Sequence, residues 1–114
     1  MKSYRNLASI NEIKLLTFPS FVDQNGILTV LDNIELVPFK ICRIFTVSAE
    51  KDSIRGRHAH KECTQLLICV SGSIEVLCDD GFNKSKYILD SANLGLIIPP
   101  GVWAQEIYLE DNTV

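Results

Sequence analysis

The sequence has no long apolar segment, no signal-like N-terminus and no excess of basic residues. A membrane helix would need about 18 consecutive apolar residues, and the opening stretch MKSYRNLASINEIKLL has no apolar run followed by a small-residue cleavage site. We therefore expect no membrane span and no secretion, and we predict a cytoplasmic protein. The 11 basic and 14 acidic residues give a net charge of −3, which argues against nucleic acid or an anionic membrane as a partner, because both attract a basic surface.

The sequence also lacks a paired-cysteine motif. Its four cysteines, Cys42, Cys63, Cys69 and Cys78, are far apart, and three of them stand within apolar stretches such as LLICV. This spacing is unlike that of a zinc knuckle or a redox pair. We predict buried free thiols in a reducing cytoplasm, with disulfides as the alternative.

Short apolar runs between turn signals dominate the rest of the chain. They are ILTVLD, KICRIFTVSA, TQLLICV, SIEVLCD, KYILD, LGLIIP and VWAQEIYL, separated by DQNG, SG, DDG and PPG. Few segments carry a helical apolar stripe, so the pattern predicts an all-β protein of seven or eight strands. A length of 114 residues with 46% hydrophobic residues fits one domain, residues 1–114, built as a sandwich, jelly roll or small barrel.

Both histidines of the chain lie in the stretch RGRHAHKECTQ, residues 55–65. On a strand, His58 and His60 would project to the same face with Cα atoms about 6.5–7 Å apart. After KECT the chain should turn, so that Gln65 opens the next strand. The pair is open to three interpretations: a metal site, an acid–base pair, or two histidines hydrogen-bonded in a core.

The spacing G-x-H-x-H-x4-Q-x6-G resembles the first cupin motif, in which two histidines and a glutamate bind a metal inside a β-barrel. In the second cupin motif a histidine follows P-x-G; here Pro99 and Gly101 are present, but Ala104 stands at the histidine position. Two imidazoles, an amide and a methyl group are a poor donor set for a catalytic divalent ion, because open sites normally keep about three protein ligands. We therefore expect no metal and no other cofactor.

A closer resemblance is to the cupin-type sugar-nucleotide 3,4-ketoisomerases that act on dTDP-4-keto-6-deoxyglucose (WxcM-like). It rests on RG and HAHK (residues 55–56 and 58–61), Gln65, SGS (71–73), DDG (79–81), LDS (89–91), GL (95–96) and VW (102–103), and it extends over residues 18 to 109. The resemblance implies a cupin-type antiparallel β-barrel or jelly roll (double-stranded β-helix). It also implies an isomerase that moves a keto group from C4 to C3 of a dTDP-linked keto-deoxysugar, in deoxysugar biosynthesis for cell-surface polysaccharide. A homodimer is the implied assembly, with exchange of the N-terminal strands as one form of it.

This chemistry needs a base with a near-neutral pKa, a proton donor at the neighbouring carbon and hydrogen-bond donors for the enediolate. Histidine suits the first two roles, so we predict His60 as the base and His58 as its partner or carbonyl polariser, an order that could be reversed. For substrate binding we predict Arg43, Arg55, Gln65 and Trp103. Each of three has a structural alternative: an ion pair or rim position for Arg43, a solvated loop for Arg55, and the core for Trp103.

The main rival is a non-catalytic or impaired sugar-nucleotide-binding cupin module. Ala104 favours it, as does a sequence shorter at its C-terminal end than family members usually are. A metal-dependent dioxygenase or isomerase is a third interpretation. A sugar-nucleotide epimerase is closely related, because it too begins by removing a proton beside a ketone.

Overall fold

The structure, a computed structural model, describes residues 8–32 and 36–114. In this part of the chain it contains nine strands and one 3-10 turn, at Ile10–Glu12. The strands are β1 (Lys14–Thr17), β2 (Ser20–Asp23), β3 (Gly26–Thr29), β4 (Ile54–His58), β5 (Gln65–Ile68), β6 (Ile74–Asp79), β7 (Lys84–Leu89), β8 (Leu94–Ile98) and β9 (Trp103–Tyr108). The predicted all-β class is confirmed. Within the described residues, no helix is long and apolar enough to cross a membrane.

The strands form two larger sheets and a separate hairpin, all antiparallel. One sheet has the order β1-β8-β5, the other has the order β4-β9-β6-β7, and β2 pairs with β3 alone. The antiparallel pairing agrees with the predicted cupin-type architecture. The strands of the described residues form separate sheets, so the closed barrel that was also predicted is not confirmed.

The main core lies between the two larger sheets. Alternate residues of β6 are buried, Ile74, Val76 and Cys78, as the period-2 pattern of a half-buried strand requires. They join Leu96 and Ile98 from β8 of the opposite sheet in one apolar cluster. The inner side, or inner face, of each sheet is the one whose side chains belong to this cluster.

Strand β8 is buried on both of its faces. Leu96 and Ile98 belong to the main cluster, while Ile97, between them, is also buried but points to the opposite side of the sheet. On that side Phe18 crosses Gly95 so closely that a Cβ atom at Gly95 would stand 2.5 Å from its ring. The continuous apolar run LGLIIP is explained by this double burial.

The predicted strand KICRIFTVSA is not formed. Residues 40–48 have no regular secondary structure, and Ala49 makes only an isolated bridge with Thr113. β-branched and aromatic residues favour strands chiefly through packing against a neighbouring strand, and in the described residues none pairs with this segment. Arg43 and Phe45 are consequently exposed.

All four cysteines are free thiols, in agreement with the prediction. The predicted burial is correct for Cys69 and Cys78 but wrong for Cys42 and Cys63, which are exposed. Cys42 lies in the unpaired segment just described, and Cys63 lies in the turn between β4 and β5. Burial raises the pKa of the Cys78 thiol to about 11.

Candidate active site

A β-bulge in β4 determines which side chains face the inner side of its sheet. Arg55 pairs with Glu106, Gly56 with Gln105, and His58 with Ala104, so one extra residue, Arg57, is inserted between the last two pairs. Gly56 and Arg57 have φ angles of 82° and 64°, the positive values typical of bulges. Arg55 and His58 are three positions apart and would face opposite sides of a regular strand; the bulge places both on the side of Glu106 and Ala104.

The two histidines lie together at the end of β4. Their ring centroids are 5.0 Å apart and the ring planes are nearly perpendicular, at 78°. The two rings therefore lie side by side, and the bulge and the end of the strand at His58 bring them together rather than a regular strand. β4 is an edge strand, so His58 is exposed to solvent while facing the same side as the buried Ala104.

His60 is half-buried, whereas His58 is exposed. Its backbone carbonyl accepts a hydrogen bond of 2.8 Å from the amide of Gly101, in the PPG turn before β9. Its Nε2 atom is buried and has no hydrogen-bond partner in the structure. A buried imidazole nitrogen without a partner costs free energy, and a polar group of a bound substrate would satisfy it.

Glu106 is a member of this site that the sequence did not predict. It follows Ala104 by two positions on the inner face of β9 and stands opposite Arg55. Burial raises the pKa of the Glu106 carboxyl, and attraction to His58 and Arg55 acts in the opposite direction. An inward-facing glutamate near the two imidazoles becomes visible only when the register of β9 with the bulged β4 is known.

The interior behind Glu106 is apolar or uncharged at neutral pH. Burial, followed by the charge of Glu106, raises the pKa values of both the Cys78 thiol and the Tyr108 hydroxyl. Ala104, at the position where the cupin motif has a histidine, contributes only a methyl group to the core cluster. The polar site is therefore confined to the open edge of the inner face.

Gln65 opens β5, as predicted, and pairs with Ile98. Because Ile98 belongs to the main core, the half-buried Gln65 also faces the inner side, from the sheet opposite the histidines. The register therefore directs Arg55, His58 and Gln65 to the inner sides of their sheets, and the His60 ring lies beside that of His58.

Arg43 and Trp103 are not brought together with the histidines. Arg43 is exposed, with its guanidinium 5.3 Å from the Phe45 ring centroid. Trp103 pairs with Asp79 and is the neighbour of the inward-facing Ala104, so it points to the outer face of its sheet. There it lines an open cleft with Lys84 and Asp79.

Two imidazoles, a carboxylate and a guanidinium at a solvent-accessible edge suit proton transfer on a bound anionic or carbonyl-containing ligand. In the described residues, no group of three or more His, Cys, Asp or Glu side chains is placed to hold an ion. Two antiparallel sheets that enclose a histidine pair of this spacing define a cupin-like protein.

Comparisons with known proteins agree with this class. The family model described as FdtA: WxcM-like, C-terminal matches residues 11–114, and the chain belongs to this family. The TDP-4-oxo-6-deoxy-alpha-D-glucose-3,4-oxoisomerase of Aneurinibacillus thermoaerophilus is 37% identical over 93 residues, which are 81% of this chain and 67% of that protein.

Two solved structures are similar over most of the chain. A 3,4-ketoisomerase from Helicobacter canadensis has a TM-score of 0.84 and 36% identity, with 90% of this chain and 77% of that chain covered. The sugar 3,4-ketoisomerase QdtA from Thermoanaerobacterium thermosaccharolyticum, in complex with TDP, has a TM-score of 0.86 and 28% identity, with 92% and 77% covered. A histidine-to-asparagine mutant of the latter enzyme was solved in complex with TDP-4-keto-6-deoxyglucose.

Proposed function

We propose that this protein is a sugar-nucleotide 3,4-ketoisomerase that moves the keto group of a dTDP-4-keto-6-deoxyhexose from C4 to C3. The observation that carries the proposal is the pair of imidazoles 5.0 Å apart at the open edge of the inner face, in a chain of the WxcM-like family. Its relatives are named for this reaction.

The reaction needs no net oxidation, only the relocation of one proton from C3 to C4 and of another from the C3 oxygen to the C4 oxygen. A base removes the proton from C3, which the neighbouring C4 ketone makes acidic, and the electron pair forms the C3–C4 double bond of an enediolate. The proton of the C3 hydroxyl passes to the C4 oxygen, a proton reaches C4, and the C3 oxygen becomes the ketone. A base and an acid that reach these two carbons and their oxygens are sufficient.

Of the two histidines, we propose His58 as the base, the second of the two orders that the sequence leaves open. His58 is exposed at the open edge of the inner face. His60 has its Nε2 buried and its backbone fixed by Gly101. These features suit a group that polarises the substrate oxygen or returns the proton to C4.

The other predicted residues keep binding roles in this proposal. Arg55 and Gln65, which the register directs to the inner sides of their sheets, would contact the sugar and its oxygens. We also retain Arg43 for the diphosphate and Trp103 for the nucleotide base, on the resemblance to the family alone, because their positions in the structure do not connect them to the histidines.

The alternative function is sugar-nucleotide binding without turnover. Ala104 favours it, because a methyl group replaces a possible third imidazole in the interior. Binding needs only Arg55, Gln65 and the nucleotide contacts, whereas isomerisation needs the two proton transfers as well.

The experiment is to incubate the protein with dTDP-4-keto-6-deoxyglucose in heavy water and follow the ring protons by NMR. We expect formation of the 3-keto sugar with deuterium at C4, and loss of this reaction in His58→Asn/His60→Asn. Lys61→Asn, an exposed neighbour, is the control and should react as the parent does. Saturable binding of the sugar nucleotide without product would favour the non-catalytic module.

We further propose that the protein acts in the cytoplasm as a homodimer, in deoxysugar biosynthesis for cell-surface polysaccharide. The four free thiols suit a reducing compartment. The β2–β3 hairpin supports the dimer. Its apolar residues are exposed, and no third strand of the described residues pairs with it.

A further inference from the structure

Arg57, the residue that the bulge inserts into β4, has a backbone conformation that favours glycine. Its φ angle is 64°, in the left-handed region where a Cβ atom crowds the following carbonyl group and costs free energy. The preceding Gly56, with a φ of 82°, avoids this cost because it has no Cβ atom. A strained residue persists only where its surroundings stabilise it, and the side chain of Arg57 makes a contact that can do so.

This contact joins the two strands at the bulge. The Nε atom of Arg57 donates a hydrogen bond of 3.2 Å to Oε1 of Gln105. Gln105 is the β9 residue that stands opposite Gly56, and the next pair along the two strands is His58 with Ala104. The hydrogen bond therefore lies at the point where the register between β4 and β9 changes.

The contact distinguishes the bulged register from a regular one. Without the inserted residue, Arg57 would pair with Ala104. His58 would then pair with Trp103, which faces the outer side of the sheet. A shift of one residue turns each later side chain to the opposite face, so Arg57 would face inward and His58 outward. Gln105, the neighbour of the inward-facing Ala104, faces the outer side, and Arg57 reaches it there only in the bulged register.

We propose that the hydrogen bond between Arg57 and Gln105 is a register clamp: it stabilises the bulge that turns His58 to the inner side of the sheet. Arg57 and Gln105 are thus positioning residues for the isomerisation and do not contact the substrate. The inference rests on the proposed isomerase function, in which His58 acts on the sugar, and it holds whichever histidine is the base. It adds no covalent step and no proton transfer to the reaction.

The test compares Arg57→Ala with Lys86→Ala. Alanine keeps the strained Cβ atom but removes the hydrogen bond. Lys86 is an exposed cation on the same outer face, in the cross-strand row that contains Gln105 and Leu77. We expect Arg57→Ala to lower kcat by about 3- to 10-fold, the factor that corresponds to the loss of one hydrogen bond, with little change in KM. Lys86→Ala should match the parent, and Gln105→Met, which removes the acceptor, should resemble Arg57→Ala.

Arg57→Gly separates positioning from substrate binding. Glycine lacks the side chain but favours a positive φ angle, so it stabilises the bulge without the clamp and should restore part of the lost rate. If Arg57 instead contacted the substrate, glycine would restore nothing, and that result would overturn the proposal. The double variant Arg57→Ala/Gln105→Met should lose no more than either single variant, because both remove the same bond. Additive losses would contradict the clamp.

NMR measures the register without the reaction. Nuclear Overhauser effects from His58 should reach Ala104 in the parent and in Arg57→Gly, and partly Trp103 in Arg57→Ala. A parental rate and an unchanged NMR pattern in Arg57→Ala would overturn the proposal, as would an equal loss of rate in Lys86→Ala. If the parent itself does not isomerise the sugar, the proposed function fails, but these NMR signals still test the clamp.

Discussion

At the scale of single residues, the two histidines differ in burial and in their neighbours. We therefore expect their asparagine variants to lose different steps of the reaction. His58→Asn should abolish proton exchange at C3, with a rate loss of about 10²–10⁴, because the general base is removed. His60→Asn should slow product formation more than C3 exchange, since a partner at C4 acts only after the first proton has left. The NMR assay in heavy water measures both quantities.

The opposite pattern would restore the order that we preferred from the sequence, with His60 as the base. Wild-type rates in both variants would exclude the histidine pair from catalysis. Abolition of the parent's activity by a chelator would instead indicate a metal site. Folding should be nearly unaffected in either variant, and circular dichroism provides that control.

The histidine pair and Gln65 could be identified from the sequence because their spacing is local: two positions on a strand, then a turn. Glu106 could not. Its relation to His58 depends on the register between β4 and β9 and on one inserted residue, Arg57. Simple alternation would have placed Arg55 and His58 on opposite faces, so the sequence pattern provided no reason to group Arg55, His58 and Glu106.

At the scale of elements, the β4 bulge requires glycine at position 56. Gly56→Ala should destabilise the protein by about 1–2 kcal/mol, because φ is 82° there and an added Cβ would also meet Glu106 and the carbonyl of Ala104. Its activity should fall as well, since the bulge directs Arg55 and His58 to the inner side of the sheet. Denaturant unfolding and the isomerase assay measure the two effects.

Gly81→Ala is the matched control for this prediction. Gly81 has a φ of 94°, but nothing lies within 4 Å of the Cβ position, so only the backbone strain applies. It should be less destabilising than Gly56→Ala and should retain activity. Equal losses of stability and activity in the two variants would contradict a specific contact at the bulge.

The turn between β6 and β7 depends on Asp80. Its carboxylate accepts hydrogen bonds from the amides of Phe82 and Asn83 at 2.8 Å and 2.7 Å, and from Ile10 at 2.9 Å. These bonds hold the pKa of Asp80 below its usual value of 3.8. The carboxylate therefore stabilises the fold above that value, and this contribution is lost as the pH falls through the lowered pKa.

Asp80→Asn should accordingly lower the Tm at neutral pH, and the difference from the parent should diminish in strong acid. Asp90→Asn, at an exposed position after β7, is the comparison and should have little effect. A Tm difference that is constant from neutral pH to strong acid would show that the charge of Asp80 is not involved.

Most strands could be predicted from period-2 runs and their turn residues, because these depend on nearby sequence. The exceptions are β1 and β2, which none of the predicted runs covers, and the segment at residues 40–48, where a strand was predicted and none forms. Its composition is that of a strand, yet the described chain offers it no strand partner. A sheet is completed by long-range pairing, which the composition of one segment does not specify.

At the scale of the whole molecule, apolar side chains are exposed on both faces of the β2–β3 hairpin. Phe21 and Leu28 are paired on one face with 61% and 62% exposure, and Val22 and Ile27 on the other with 72% and 69%. An isolated two-stranded hairpin is marginal in water, and single chains seldom expose large contiguous apolar patches. A second copy of the chain would cover this surface and supply the missing strand partner.

Light scattering at micromolar concentration should therefore give twice the chain mass of 12.8 kDa. Val22→Lys should shift the protein toward monomer, because a charge in a buried apolar contact is costly. Phe82→Lys, at an equally exposed apolar residue on the β6–β7 turn, should leave the mass unchanged and so controls for surface charge. A monomeric parent would contradict the dimer. A dimer unaffected by Val22→Lys would mean that the two copies meet elsewhere, and the hairpin would then need another explanation for its apolar faces.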